Sequence, residues 1–292
     1  MSPLRLSAAA VRRWIPRRPP DSHKGFNGHV LVIAGSRGMS GAAALSTLGA
    51  LRAGAGLVTT ALVTGERAAV AYGVPEALTL PLPESQDGSL AADALAVIQK
   101  YIAARRIRAV ALGPGLSTHA GARTVVRRLL PSLKIACVLD ADGLNNLRPA
   151  ELRRPRGGPL VVTPHPGEFA RLFGGRPDAR PAVRLAAARQ AARRYGLVCV
   201  LKGRGTVISD GKRTHVNPTG NAAMAAGGMG DVLTGVIAGF LAQGLPAFEA
   251  ACAGVYLHGL AADIARISDR GLLAGEVAFH LPHALRKIGV RG

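Results

Sequence analysis

The strongest constraint in this sequence is an alternation. Short apolar, largely β-branched runs recur at His29–Ala34, Leu57–Val63, Arg108–Leu112, Ile135–Leu139, Leu160–Thr163 and Leu197–Leu201. Stretches with helical periodicity separate most of them. Strands covered on both faces read as continuous apolar runs, and the intervals are long enough for crossover helices. Helices are expected over about Ala42–Ala53, Glu66–Tyr72, Leu90–Ala104, Ala120–Leu130 and Arg180–Tyr195, with a short strand at Ala77–Leu80. Thr206–Ser209 and Thr214–Val216 form a predicted hairpin around Asp210-Gly211. Three helices, Val232–Gln243, Phe248–Ile267 and Gly275–Ile288, complete the chain. The pattern predicts an α/β fold: a three-layer α/β/α sandwich with a mostly parallel, doubly wound sheet. No linker or internal repeat interrupts it, so residues 23–292 are expected to form a single domain.

Composition narrows the function classes. Hydrophobic residues make up 48% of the chain and aromatics only 4%, so the core must be built mainly from Ala, Val, Leu and Ile. No run approaches the roughly 18 apolar residues of a membrane span. Cys137, Cys199 and Cys252 lie far apart, without metal or disulfide spacing. They read as buried reduced thiols, which fits a cytoplasmic protein. Residues 1–22 are Arg/Pro-rich and lack an apolar signal core; a short helix over Ser7–Trp14 and an extended Pro segment are expected there. The formal net charge is +20. Its arginines are scattered in pairs such as Arg105-Arg106, Arg127-Arg128, Arg153-Arg154 and Arg193-Arg194, in or beside helix-like stretches where solvated faces are expected. No aromatic-rich basic stripe or nucleic-acid motif accompanies them. Neither a specific nucleic-acid partner nor a membrane partner is expected.

Chemistry concentrates where strands end. The richest stretch runs from Asn217 to Gly235, with turn residues Pro218 and Gly220, a glycine cluster at Gly227, Gly228 and Gly230, then Asp231 and an apolar helical run. A glycine-rich turn opening a helix exposes backbone N–H groups that bind anions. An aspartate there would repel a phosphate, unless it takes a proton from a hydroxyl attacking that phosphate. The alternative is that Asp231 only caps the helix. Lys202-Gly203-Arg204-Gly205-Thr206 follows a strand and offers a nucleotide-phosphate site, or a glycine turn into the hairpin. Thr163-Pro164-His165-Pro166-Gly167-Glu168 presents His165 on a stiff loop, with Glu168 either a ligand or a helix-start charge. Asp140 and Asp142 flank another strand end, to hold Mg²⁺ through water or line the substrate pocket, or else to make a turn with Asp142 as an N-cap. Gly35–Gly41 is a ligand-loop candidate without Walker or dinucleotide spacing. Gly113-Pro114-Gly115 is a tight turn, and His258 reads as a core histidine.

In this order the motifs resemble one family, the ADP/ATP-dependent NAD(P)H-hydrate dehydratases of the ribokinase-like superfamily. The likeness runs from about His23 to the C-terminus, through His23-Lys24-Gly25, Gly41-Ala42, Leu51–Thr59, Gly113–Gly115, Asp140–Asp142, Thr163–Glu168, Lys202–Thr206, Asn217–Asn221 and Gly227–Gly235. The resemblance implies a ribokinase-like sandwich without a separate lid domain. It implies that ADP or ATP, with Mg²⁺, phosphorylates the hydroxyl of the S epimer of hydrated NADH or NADPH. Phosphate then leaves and NAD(P)H is restored, with AMP or ADP as the other product. Asp231 would be the base, and Gly228 and Gly230 would help form the anion hole, Gly230 also touching the nucleotide. Lys202, Gly203, Arg204, Gly205 and Thr206 would hold the nucleotide. Ala42, Gly115 and His165 would line the hydrated-cofactor pocket with Asp231. Metal ligands stay unassigned. A homotetramer is implied, and a separate epimerase, since there is no room for a fused one before His23. Ala222 and Ala223 replace an expected Pro-Gly pair, and Ala226 an expected Thr; these changes bear on rate more than on reaction type.

Two rivals share parts of this pattern. A ribokinase-like kinase for a vitamin-precursor alcohol would keep the phosphate on its product. A nucleotide- or nucleic-acid-binding regulator with a dead site would bind without turnover, which an intact Asp231 and Gly230 argue against.

Overall fold

The computed structural model describes residues 4–153, 157–175, 177 and 180–290. Arg154 of the Arg153-Arg154 pair and the ends of the chain lie outside the described residues. The strands are β1 (Leu4–Arg5), β2 (His29–Ile33), β3 (Leu57–Val63), β4 (Leu78–Leu82) and β5 (Ala109–Leu112). They continue with β6 (Ala136–Leu139), β7 (Leu160–Val162), β8 (Val198–Leu201), β9 (Val207–Ser209) and β10 (Thr214–Val216). All ten join one sheet in the order β1-β10-β9-β8-β7-β6-β5-β2-β3-β4. Pairing is parallel except where β9 meets β8 and β10. The β9–β10 hairpin and the parallel body are thus as the sequence predicts.

The helices are α1 (Ala8–Trp14), α2 (Ser40–Arg52), α3 (Arg67–Gly73), α4 (Ala94–Ala104), α5 (Ala120–Ser132) and α6 (Asp142–Asn145). After them come α7 (Pro166–Phe173), α8 (Pro181–Tyr195), α9 (Met229–Ala242), α10 (Ala247–Ala265) and α11 (Ala274–Lys287). Alternate strand residues point to opposite faces. Val30 and Val32 join the core built with α2, α9, α10 and α11. Leu31 and Ile33 join the core built with α4, α5 and α8. These are the three layers.

Several elements differ from the expectation. Helix α4 starts at Ala94 rather than Leu90, because Leu90 is fully buried and bridges to Glu84. Helix α7 is unexpected because Pro166 and Gly167 look like loop residues, yet proline suits a first helical turn. Strand β1 pairs in parallel with β10, and α1 buries Val11 completely, so described residues before His23 join the sheet and core.

Two features position the site. The chain adds β3 and β4 on one side of β2, then returns to place β5 on the other. That reversal opens a crevice at the carboxyl ends of β2 and β5, where ligands bind in open α/β sheets. Helices α2 and α9 also pack backbone to backbone: a methyl at Gly235 would strike the Ser46 carbonyl, and one at Gly49 the Val232 carbonyl. This contact brings the start of α9 to the crevice.

Candidate active site

The loops after β2 and β5 are tied together. The Gly35 N–H donates to Pro114 O at 2.8 Å, and Ser36 Oγ donates to Gly115 O at 2.8 Å. A side chain at Gly115, whose φ is +64°, would sit 3.1 Å from Ala42 Cβ. Ala42 and Gly115 therefore lie side by side where these two loops meet.

The end of β6 splits two carboxylates. Ala141, between Asp140 and Asp142, has φ +47° and ψ −121°. Only one other non-glycine among the described residues has positive φ, namely Ser117 at +68°. The two strained turns are joined: the Ser117 N–H donates to Asp142 Oδ2 at 2.9 Å, and Asn146 Nδ2 donates to Ser117 O at 2.8 Å. Strain of this kind persists where surrounding contacts enforce it, and it concentrates at functional sites. The turn sends Asp142 toward β5 and leaves Asp140, 1% exposed, toward β8 and α9.

Asp140 organises the next layer. Lys202 Nζ donates to Asp140 Oδ1 at 2.7 Å, and Thr234 Oγ1, from α9, donates to Asp140 Oδ2 at 2.8 Å. Glu168 Oε2 lies 3.9 Å from Lys202 Nζ. Burial works against the Lys202 ammonium, but Asp140, Glu168 and Asp231 outweigh it and hold its pKa above the usual value. Burial pushes the Glu168 pKa up, and Lys202 pulls against that shift. Glu168 also completes a capping box, since its Oε2 accepts the His165 N–H at 2.8 Å while His165 Nδ1 accepts the Glu168 N–H at 3.3 Å. The exposed His165 is thus an N-cap at the strand end, joined through Glu168 to the Lys202 cluster.

Asp231 lies in the first turn of α9, behind the left-handed Gly228 at φ +83°. A side chain at Gly228 would meet Leu45 Cδ1 at 2.5 Å, and one at Gly230 would lie 3.3 Å from Lys202 Nζ and 3.4 Å from Asp140 Oδ2. Ser46 Oγ donates to the Asp231 carbonyl at 3.0 Å. Burial first, then the negative charge of Asp140, raises the Asp231 pKa to about 7, with Lys202 opposing. A carboxylate tuned near neutrality beside unpaired helix N–H groups is suited to take a proton. The N-cap of α9 is Gly228, and Asp231 stands at the third helical position.

The Asn217–Asn221 loop is fastened to α10. Asn217 Nδ2 donates to Val255 O at 3.4 Å and Thr219 Oγ1 to Tyr256 O at 2.8 Å. Asp263 accepts from the Gly220 N–H at 2.9 Å and from Asn221 Nδ2 at 2.8 Å. His258 is buried as expected, and burial lowers its pKa to about 4.

The Lys202–Thr206 loop turns through Gly203 at φ +131° and Gly205 at φ +64°, values that favour glycine. Thr206 Oγ1 donates to Gly203 O at 2.9 Å, and the Lys202 N–H donates to Pro164 O at 2.9 Å. Arg204 is exposed. Arg184, Thr234 and the paired role of Glu168 are not evident from the motifs. Arg184 had one usable signal, a charged residue in register with the buried Ala188, Ala191 and Tyr195 of α8.

The donor set does not make a metal cage. The carboxylate oxygens of Asp140 are taken by Lys202 and Thr234, and those of Asp142 by Ser117 and Asn145. Among the described residues no group of three or more ligand side chains gathers. Mg²⁺ at such a site would arrive held by nucleotide phosphates and water.

Comparison with known proteins decides the family. A family model described as NAD(P)H-hydrate dehydratase matches residues 30–278. The chain belongs to the NAD(P)H-hydrate dehydratase family. Its similarity to the ADP-dependent (S)-NAD(P)H-hydrate dehydratase of Neisseria meningitidis serogroup B is 42% identity over 269 residues, covering 89% of this chain and 86% of that one. It is 44% identical over 289 residues to the bifunctional NAD(P)H-hydrate repair enzyme Nnr of Moorella thermoacetica, covering 97% of this chain and 54% of the relative. The chain thus spans about half the length of the curated bifunctional relatives it matches. Among solved structures, the Bacillus subtilis ADP/ATP-dependent NAD(P)H-hydrate dehydratase co-crystallized with ATP/Mg²⁺ superposes with a TM-score of 0.83 at 34% identity, covering 99% of both chains. A hydroxyethylthiazole kinase from Pyrococcus horikoshii superposes at 0.59 with 16% identity, a likeness of fold alone. For this dehydratase-family chain, the expected ribokinase-like sandwich is the observed fold.

Proposed function

We propose that this chain uses ADP or ATP to dehydrate the S epimer of hydrated NADH or NADPH, repairing the damaged cofactor. Asp231 carries the proposal, as a carboxylate with a pKa of about 7 at the start of α9 behind a left-handed glycine. Asp231 removes the proton of the ring hydroxyl as that oxygen bonds to the terminal phosphorus of the nucleotide. The bond from that phosphorus to its bridging oxygen breaks, releasing AMP or ADP. Phosphate then departs from the ring carbon, the neighbouring carbon loses a proton, and the reduced nicotinamide returns. Gly228 and Gly230 let the helix start approach the transferring phosphoryl group, whose charge the N–H groups stabilise. Ala42, Gly115 and His165 line the dinucleotide pocket, and residues 202–206 hold the nucleotide. Mg²⁺, carried with the nucleotide, supplies charge neutralisation on the phosphates.

The +20 charge favours capture of two polyanionic ligands, without a specific nucleic-acid partner. Residues 23–292, with β1 and α1 packed onto them, act as one catalytic domain, a homo-oligomer is expected by family likeness, and an epimerase acts on the same substrate. No helix among the described residues is long and apolar enough to cross a membrane.

Incubation with hydrated NADH and ADP or ATP tests the proposal. The expected result is one phosphate released for each reduced nicotinamide restored. Accumulation of a phosphorylated product would favour a kinase, and binding without turnover a regulator.

A further inference from the structure

Arg184 is the feature the catalytic reading leaves unused. It lies on the core face of α8, only 7% exposed. Its Nη2 donates to Leu201 O and to Lys202 O, both at 3.0 Å, so the guanidinium sits directly beneath the start of the 202–206 loop. Its Nε is buried without a hydrogen-bond partner. Burial lowers its pKa. No ion pair neutralises it among the described residues. A buried charge without a counter-ion is costly, and structures retain one where something else is gained.

The loop is shaped around this cation. A side chain at Gly203 would come within 3.2 Å of Arg184 Nη2. In a trans peptide the C=O and the following N–H point in opposite directions. With the Lys202 carbonyl turned down to Arg184, the Gly203 N–H is turned away from α8. A small pocket beside the loop is lined by Arg184, Arg204, Gly205, Val207 and Val216. The other obvious cation, Lys202, is already engaged with Asp140 and Glu168.

We propose that Arg184 is the positioning residue and buried counter-charge of the nucleotide loop. It fixes the carbonyls of Leu201 and Lys202 so that the loop's N–H groups face the ligand, and its unneutralised charge beneath the loop is matched by nucleotide phosphate. Lys202, at the head of the loop, also serves the carboxylate cluster around Asp231. The inference rests on the proposed nucleotide role of residues 202–206.

The test is calorimetric titration of wild type and Arg184→Met with ADP and with adenosine, at low and moderate salt. Arg184→Met is expected to bind ADP roughly ten- to a hundred-fold more weakly. Adenosine affinity should stay within about two-fold, and the salt dependence of ADP binding should flatten. Should Arg184→Met not fold, Arg184→Gln keeps a donor for the carbonyls without the charge and makes the same comparison. Arg184→Lys should recover part of the ADP affinity. Neutral variants that bind ADP as tightly as wild type, or that lose ADP and adenosine alike, would overturn the assignment. Wild-type protein that binds no ADP would instead refute the nucleotide role of the loop itself.

Discussion

Lys202 and Asp140, 62 residues apart in sequence, meet at 2.7 Å where β8 and β6 end. Thr234 holds the other oxygen of Asp140, so strand ends and the first turns of α9 form one unit. Within it a single ammonium faces Asp140, Glu168 and Asp231. Lys202 is what keeps the Asp231 pKa as low as about 7.

Lys202→Met should therefore move the acid limb of the turnover-versus-pH curve to higher pH and slow turnover at neutrality. Loss of the partner of a buried carboxylate should also destabilise the fold by about 3–5 kcal/mol. Urea melts and pH–rate profiles check both. An unmoved acid limb would exclude Lys202 from tuning Asp231.

Asp231 also makes stability depend on pH, and the sign is fixed. Its folded pKa of about 7 lies above the ordinary value of 3.8. Between those values the folded state keeps a proton that the unfolded state releases. The contribution of this group to stability is therefore greatest at low pH and falls as pH rises toward 7. Asp231→Asn removes that dependence. Its stability relative to wild type should grow between pH 4 and pH 8, on the order of a few kcal/mol at about 1.4 kcal/mol per unit. Chemical denaturation at the two ends of that range measures it, and a constant difference would contradict the raised pKa.

Gly228→Ala should impair both fold and chemistry. The left-handed backbone costs a non-glycine residue about 1–2 kcal/mol, and the methyl would press on Leu45. Turnover should fall further than stability, because the shifted turn misplaces the α9 N–H groups. Thermal melts beside steady-state rates separate the two effects.

Ala141→Gly should do the reverse for stability. Ala141 holds φ +47° between the two aspartates, a conformation glycine adopts freely. Relief of about 1–3 kcal/mol, less about 0.4–1 kcal/mol of added unfolded-state entropy, predicts modest stabilisation. Activity should fall if the strain is what aims Asp140 and Asp142. A destabilised variant would mean that the turn is unstrained.

Much of this was legible in the chain. Apolar runs located the parallel strands, and the glycine clusters marked the ligand edge, because both signals are local. What was not legible was pairing at a distance. Lys202 reads as a free cation for phosphate, since nothing near it in sequence reveals Asp140. Pro166-Gly167 reads as loop, although the same residues open α7 once His165 and Glu168 cap each other. Arg184 reads as one of many surface arginines, and only its register with buried alanines on α8 sets it apart. Asp231 reads as a base candidate, but its raised pKa depends on burial and on Asp140, which belong to the fold.

The most direct measurement is kcat/KM against pH for wild type and Asp231→Asn, with hydrated NADH and ADP or ATP. Wild type should rise with pH through about 7 and then level, as a base with that pKa loses its proton. Asp231→Asn should be slower by about 10²–10⁴ and lack that rise. An Asn variant within a few-fold of wild type, with the same profile, would contradict Asp231 as the base.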